Sequence, residues 1–270
     1  TLSGGKDAKL YVDGTQAASA TFATAATGAG WWHVGCGLLS GYPSAPTTAY
    51  FATMAVDEVA VYTSALGSDP VADHYASAIV ARVPFTSRAA RYSPWSWLRL
   101  DEPAGAVLDS SGNSRATSAS AAGVTRSVAG VFSGGPLSPA NSAYSFNGST
   151  GCLVTTTSYG SFPSTFTLAF WFKSTSTSGG PLVQLNNYAG ADAGSGGNPT
   201  TYDPSVYLGT DGKIHFVVQS GSNTRRVTTG GTYRDGAWHH VVAQLTGDEM
   251  ALYIDCAVAV NVYYLRLTPD

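Results

Sequence analysis

The sequence predicts an all-β protein, an antiparallel jelly-roll sandwich or sandwiches with one short surface helix. Two observations lead to this class. Apolar and aromatic residues alternate with polar ones over short runs, which is the period of a half-buried strand. Gly and Asp turn residues separate these runs at close intervals, as in antiparallel sandwiches.

The strand signal is strongest at residues 166–172, Phe-Thr-Leu-Ala-Phe-Trp-Phe. Because successive side chains of a strand point to opposite faces, the phenylalanines share one face with Leu168. We expect that face to be buried in a sheet core. Trp171 and Lys173 should project from the opposite face.

Later strands are predicted at residues 214–219, 238–245 and 251–255, each preceded by Gly and Asp turn residues. One helix is predicted to begin near Ser68-Asp69-Pro70, because a capping residue and an early proline suit a helix start. It should run to Ile79 and lie against the sandwich surface.

Composition limits the classes of partner that the chain is expected to bind. With 270 residues, 44% hydrophobic and 11% charged, the chain can bury a substantial core. A net charge of −3 supplies no basic surface for nucleic acid. No apolar run approaches the roughly 20 residues that cross a bilayer, so no membrane span is expected. Because the chain opens on Thr1 rather than on a start methionine, we expect a processed product or a fragment.

Three cysteines, Cys36, Cys152 and Cys256, lack the close pairing of zinc sites. An odd count leaves at least one of them without an internal disulfide partner. Three buried small residues, one disulfide, and redox or metal chemistry are the interpretations left open.

The same short strand occurs at both ends of the chain, as Leu-Tyr-Val-Asp at residues 10–13 and Leu-Tyr-Ile-Asp at residues 252–255. The chain therefore starts and stops inside a repeat. Further motifs are Trp-Leu-Arg-Leu-Asp-Glu, Asp-Ser-Ser-Gly-Asn, Phe-Asn-Gly, Asp-Gly-Ala-Trp-His-His-Val and Val-Asp-Glu-Val-Ala-Val-Tyr, at residues 97–102, 109–113, 146–148, 235–241 and 56–62.

Together these motifs resemble the laminin-G-like, concanavalin A-like jelly-roll domains of large secreted or surface proteins of bacteria. In that family the motif at residues 56–62 and the small helix close a repeat, whereas here they precede the opening motifs. The resemblance implies that residues 1–80 are the C-terminal part of one jelly roll. Residues 81–94 would then be a linker, and residues 95–270 the N-terminal two thirds of a second jelly roll.

Three arrangements satisfy this order. Residues 1–80 fold back and complete the later segment as one permuted sandwich, or a neighbouring molecule supplies the missing strands, or the chain is an incomplete part of a tandem array. Cys256 replaces the glycine that the first copy has at Gly14, so the same tight turn is not expected at both ends.

Members of this family frequently hold a structural calcium ion, which prefers oxygen ligands. The resemblance therefore nominates a set of side chains near the motif-matching positions: Asp57, Asp101, Glu102, Asp109 and Asn113. The competing interpretation is that these residues end strands and cap turns.

Jelly-roll lectins stack sugar rings on aromatic side chains. An exposed platform is predicted from five residues: Trp171, Lys173, Tyr202, Tyr207 and Trp238. The competing interpretation is that the two tryptophans pack beneath the loops as a second layer of core.

No catalytic constellation is present. Glycosidases on this fold need two carboxylates on one strand face, and Asp57 and Glu58 are neighbours that should face opposite ways. The same alternation separates His239 from His240. No Gly-x-Ser-x-Gly elbow occurs. We therefore expect no enzyme activity.

The expected function is a non-catalytic extracellular module, secreted or at the cell surface, that binds glycans or protein partners in adhesion. The alternative is a structural subunit of a filament or surface assembly whose copies exchange strands. A polysaccharide-active enzyme is the third and disfavoured function.

Overall fold

The computed structural model describes residues 7–12, 15–21, 30–39, 42, 44–46, 51–79, 91–115, 117–119, 122–131, 141–156, 158–159, 165–187, 202–220, 223–246, 249–254 and 257–260. The elements within these ranges are β1 (Asp7–Val12), β2 (Thr15–Thr21), β3 (Trp31–Val34), β4 (Thr53–Tyr62), α1 (Ser68–Ile79), β5 (Ser96–Leu98), β6 (Thr117–Ala119), β7 (Val124–Ala129), β8 (Ser142–Asn147), β9 (Leu153–Thr155), β10 (Thr165–Lys173), β11 (Gly180–Asn186), β12 (Tyr202–Leu208), β13 (Ile214–Ser220), β14 (Asn223–Thr228), β15 (Trp238–Thr246), β16 (Glu249–Ile254) and β17 (Ala257–Val260).

The strands form two antiparallel sheets, and the predicted all-β jelly-roll sandwich with one helix is confirmed. The first sheet has the order β17-β16-β2-β1-β15-β10-β4-β8-β7, with β5 paired to β4. The second sheet has the order β14-β13-β12-β11-β3-β9-β6.

Strands from the beginning of the chain lie inside both sheets. β4 is hydrogen-bonded between β10 and β8, and β3 lies between β11 and β9. Described strands from the first 80 residues thus pair with strands of the later segment. The predicted linker at residues 81–94 is described only at residues 91–94, where Tyr92 packs against the core. Gly14 and Cys256 lie outside the described residues.

The core lies between the two sheets. The apolar face of β10 predicted from the sequence is buried, with Phe166 next to Trp32 and Phe216 of the opposite sheet at ring-centroid distances of 6.0 and 6.2 Å. These offset and edge-on ring contacts are geometries that aromatic pairs prefer. The inner face of β10 therefore joins the two layers, as its alternating pattern predicts.

Helix α1 covers part of the outer face of the first sheet. Val71 and His74 are fully buried, and Tyr75 stacks on Trp171 with 6.0 Å between ring centroids. Trp171 in turn lies 4.9 Å from the ring of His240 on β15. The helix thus forms a third layer over the middle of the sheet. Among the described residues, no helix is both long enough and apolar enough to cross a membrane.

The repeated strands β1 and β16 lie on the same side of β15. One edge of β15 pairs with β10 along its whole length. On the other edge Ala243 is in register with Leu252 of β16 and also with Leu10 of β1. Leu10 and Leu252 are equivalent residues of the repeated motif. Both copies of the motif are therefore in register with the same residue of β15.

Candidate ligand-binding surface and its surroundings

The predicted aromatic platform is only partly open to solvent. Trp171 is 4% exposed because α1 lies over it, and Tyr207 is fully buried. Neither ring can stack on a ligand in this conformation. The backbone of Tyr202 belongs to β12, and its side chain is outside the described part of the structure.

The accessible part of the platform is the pair of Lys173 and Trp238, which we call the Lys173–Trp238 surface. The two residues are cross-strand partners, Lys173 at the end of β10 and Trp238 at the start of β15. Lys173 is exposed and Trp238 is half-buried. They present a cation beside an aromatic ring at one end of the sandwich, a combination that suits a polar ligand with an apolar face.

The loop that leads into Trp238 is held by a network on the other side of the strand. Asp235 accepts hydrogen bonds from the Ala237 amide (2.8 Å) and interacts with His239 Nε2 (3.0 Å). These contacts hold the pKa of Asp235 below its usual value. His239 also packs on Phe172 and Tyr233. Trp238 therefore sits on a fixed support, which lowers the entropic cost of binding.

Tyr207 is buried because a chain segment covers the outer face of the second sheet. Tyr207 stacks on His215 (4.7 Å between centroids) and on Tyr42 (5.8 Å), which lies a few residues after Cys36. We call the described residues 37–39, 42 and 44–46 the covering segment. Burial raises the pKa of Tyr207 and lowers that of His215, although Asp211 beside His215 acts in the opposite direction.

Gln184 attaches the covering segment to the sheet. The Leu38 amide donates to Gln184 Oε1 (2.9 Å), and Gln184 Nε2 donates to the Leu38 carbonyl (2.7 Å) and to Ser205 Oγ (2.6 Å). A buried side-chain amide needs such partners on both its oxygen and its nitrogen. The outer face of the second sheet around Tyr207 is therefore covered by the chain itself and is not open to a ligand.

The residues predicted to bind calcium lie in two parts of the structure and make different contacts there. Asp109 accepts hydrogen bonds from the Trp97, Ser111 and Arg115 amides, which is the role of a turn cap. Asn113 donates to the Pro94 carbonyl from the same turn.

The other calcium candidates lie near β4 and β8. Glu102 accepts a hydrogen bond from the Leu108 amide and lies 3.2 Å from the Tyr144 hydroxyl. Asp57 accepts from the Val131 amide through Oδ2, and its buried Oδ1 has no hydrogen-bond partner among the described residues. That oxygen would suit a cation. Among the residues that the structure describes, however, no three of the nominated carboxylates bring their oxygens within 4.8 Å of one another, so the set is not assembled around one ion.

Asp57 and Glu58 form a buried acidic pair, which strand alternation does not predict. Glu58 has a positive φ of 53°, and the register between β4 and β10 shifts at this point, as in a β-bulge. Glu58 accepts a hydrogen bond from Trp97 Nε1 (2.6 Å), and Arg99 links it to Asp101. Burial raises the pKa of both acids well above the usual range. Repulsion from Asp57 adds to the shift of Glu58, and repulsion from Asp101 adds to the shift of Asp57.

We expect the Asp57→Asn variant to be more stable than the native chain at neutral and alkaline pH. A carboxyl whose pKa is raised by folding binds its proton more tightly in the folded state, so stability falls as pH rises from the unfolded pKa through the folded one. The substitution removes this loss and keeps an oxygen that can accept from Val131. Thermal unfolding measured from acid to alkaline pH should give a flatter profile for the variant.

Asp235→Asn is the matched control. The pKa of Asp235 is lowered, so its contribution is lost as pH falls, the opposite trend. A calcium ion at Asp57 would reverse the first result, because Asp57→Asn would then destabilise the protein in calcium and the ion would raise the native melting temperature. A steeper pH profile for Asp57→Asn than for the native chain would contradict the burial argument.

The described residues contain a disulfide between Cys36 and Cys152, so one of the interpretations left open by the sequence is realised. The two Cα atoms are 5.3 Å apart and the bridge spans 116 positions of the chain. His33 Nδ1 lies 3.6 Å from Cys36 Sγ and 3.8 Å from Cys152 Sγ. No sequence pattern singles out His33, because its partner Cys152 is remote along the chain.

Comparison with known proteins supports the family resemblance. Residues 146–261 match the laminin G family model described as the concanavalin A-like lectin/glucanases superfamily. No curated protein and no solved structure matches the chain. The matched residues begin at the end of β8 and include the strands that carry Lys173 and Trp238. The match therefore supports a laminin-G-like, concanavalin A-like domain that includes residues 146–261.

Proposed function

We propose that this chain is a non-catalytic extracellular binding or adhesion module that contacts glycans or protein partners through the Lys173–Trp238 surface. The observation that carries the proposal is the cross-strand pairing of an exposed lysine with a half-buried tryptophan on a fixed support. Tryptophan is enriched at binding hot spots, and a side chain that is already held in place loses less conformational freedom on binding.

Two further features support a secreted, non-enzymatic role. A disulfide such as Cys36–Cys152 persists in oxidising compartments outside the cytosol. Asp57 and Glu58, the adjacent acidic pair, are 0% and 2% exposed, and Glu58 is already engaged by Trp97 and Arg99. They are poorly placed to reach a polysaccharide. A reducing-sugar assay on polysaccharide substrates would detect the disfavoured hydrolase activity.

We expect Trp238→Ala to weaken ligand binding by about 30-fold, since removing a hot-spot residue costs about 2 kcal/mol or more. A glycan array and a pull-down from cell-surface extracts would first identify the ligand, and its affinity would then be measured by calorimetry. Lys173→Ala should have a smaller effect, because an exposed charge contributes little to affinity.

Trp31→Ala is the matched control, because Trp31 is also a half-buried tryptophan at the end of a strand but belongs to the second sheet. It should leave affinity unchanged. Equal affinities for the native chain, Trp238→Ala and Trp31→Ala, with all three folded by circular dichroism, would reject this surface as the binding site.

A second candidate function is strand-shared assembly between copies of the chain. It is favoured by the double register at Ala243, which is opposite both Leu10 and Leu252 on one edge of β15. One strand edge accommodates one partner strand, so only one copy of the motif can pair there fully. The copy that is excluded has the sequence needed to occupy the same position in another molecule.

The local copy has the advantage in this competition. β16 follows β15 after two residues and pairs with it over six residues, so little loop entropy is lost in closing that hairpin. β1 must close a far longer loop to reach the same edge. The hairpin of β1 and β2 is therefore the one available for exchange, and it carries apolar residues, Leu10 and Val12, that favour burial.

A further inference from the structure

We propose that Cys36, Cys152 and His33 form a redox-gated binding site for zinc, which is filled only when the disulfide is reduced. The cluster lies at the outer face of the second sheet, where the covering segment begins. It is separate from the Lys173–Trp238 surface and does not depend on the function proposed for that surface. All three residues are fully buried.

The chain path explains how these residues meet. His33 lies in β3 and Cys36 follows three positions later, a spacing that would put them on opposite faces of a continuous strand. Gly35, with a φ of 79°, ends the extended path, and a Cβ at this position would meet the Phe146 ring at 2.6 Å. The turn lets Cys36 bond to Cys152 beside the His33 ring.

The distances to the imidazole match the geometry of a zinc centre. With Zn–S bonds of about 2.3 Å and Zn–N bonds of about 2.0 Å, tetrahedral angles place sulfur and nitrogen about 3.6 Å apart. His33 Nδ1 lies 3.6 and 3.8 Å from the two Sγ atoms. Within the described part of the chain, this is the one group of His, Cys, Asp or Glu residues with three ligand atoms within 4.8 Å of one another.

Reduction converts the bridge into ligands. A dithiol or phosphine reductant supplies two electrons, the Cys36–Cys152 bond breaks, and each sulfur becomes a thiol as the reductant is oxidised. Zinc then binds the two thiolates and the neutral His33 ring, and the two thiol protons are released. Thiolate and imidazole are the ligands that zinc prefers, and a solvent molecule commonly fills the fourth position in sites with three protein ligands.

The site would be closed to oxidants when it is occupied. Thiol–disulfide exchange needs a free thiolate, and zinc coordination removes both thiolates from that reaction. The covering segment, which Gln184 attaches through Leu38, lies directly after Cys36 and limits access from solvent. The site therefore has two stable states, an oxidised bridge without metal and a reduced centre with zinc.

The test uses the full chain carrying Cys256→Ser, which removes the third thiol. After reduction with a phosphine and removal of the reductant under anaerobic conditions, the protein is titrated with Co²⁺ and then with Zn²⁺. We expect one equivalent of Co²⁺ to bind with thiolate charge-transfer bands, and Zn²⁺ to displace it. The oxidised protein should bind neither ion at this site.

His33→Ala should lower zinc affinity at least about tenfold, because even loss of an outer-shell partner costs about 10- to 100-fold. His215→Ala is the matched control, a buried histidine of the same sheet that should leave zinc affinity unchanged. Zinc should also slow the return of the disulfide in oxidised glutathione. If the reduced chain stays folded by circular dichroism and binds no Co²⁺ or Zn²⁺, or if His33→Ala binds as tightly as the parent, the proposal is wrong.

A reduced chain that unfolds still gives a result, because zinc added before reduction should then keep the chain folded. Failure of zinc to protect it would equally contradict the site.

Discussion

Replacing Cys36 and Cys152 together by serine is expected to lower the free energy of unfolding by about 4 to 5 kcal/mol. In the chain-entropy model a cross-link stabilises the folded state by restricting the unfolded chain, and a loop of about 100 residues gives about 4.7 kcal/mol. The bridge here closes a longer loop, with a sequence separation of 116. Urea unfolding followed by tryptophan fluorescence in oxidising buffer measures the change.

The matched control is Cys256→Ser, which removes a cysteine but leaves the bridge in place and should have a far smaller effect. A reducing agent should lower the stability of the native chain to about that of the double variant and leave the double variant unchanged. A loss below about 1 kcal/mol in the double variant would mean that the unfolded chain is already restricted in other ways.

The second large effect is expected from Leu10 and Leu252 changed together to aspartate. If β1 and β16 are alternative partners of β15, either single substitution leaves one intact copy of the motif for that edge. The double variant leaves none and buries an unpaired charge whichever strand pairs, so it should fail to fold cooperatively. Thermal unfolding of the two single variants and the double variant tests this non-additivity.

Cysteine trapping would show which strand occupies the edge. In a Cys256→Ser background, Ala243→Cys is combined with either Leu10→Cys or Leu252→Cys, since both leucines are in register with Ala243. Cross-linking within one chain identifies the occupant, and cross-linked dimers with Leu10→Cys would support strand-shared assembly. Light scattering at micromolar concentration gives the mass of the native chain, and a strictly monomeric mass would count against that assembly.

Additive losses in the two leucine variants would contradict alternative pairing. They would mean that Leu10 and Leu252 are buried at separate positions at the same time.

The sequence predicts the strands well where one periodic pattern decides the matter. The inner face of β10 is an example, because the aromatic residues that alternate along it can be buried only against another layer. The helix is similar, since Pro70 and the residues before it give its start. Neither signal says what covers the opposite face of β10. Trp171 and Lys173 share that face, yet α1 buries one and leaves the other exposed.

The cluster of His33, Cys36 and Cys152 could not be predicted from the sequence, because it depends on distances between remote parts of the chain. Cys152 and His33 meet through pairing of β9 with β3, and neither strand identifies the other by its sequence. The bulge at Glu58 likewise removes the alternation that would have separated two neighbouring acids. The nominated calcium residues have suitable chemistry, but Asp109 instead accepts hydrogen bonds from the amides of its own turn.

The Cys36–Cys152 bridge also determines how the chain would respond to mechanical load. When the two ends are pulled apart, tension passes directly through the sulfur–sulfur link, and the residues between the two cysteines bear none of it. Those residues include β4 and the helix, which the pulling force would not reach through the backbone. Chemical cleavage of the link would release about 116 residues of hidden length, roughly 400 Å at full extension.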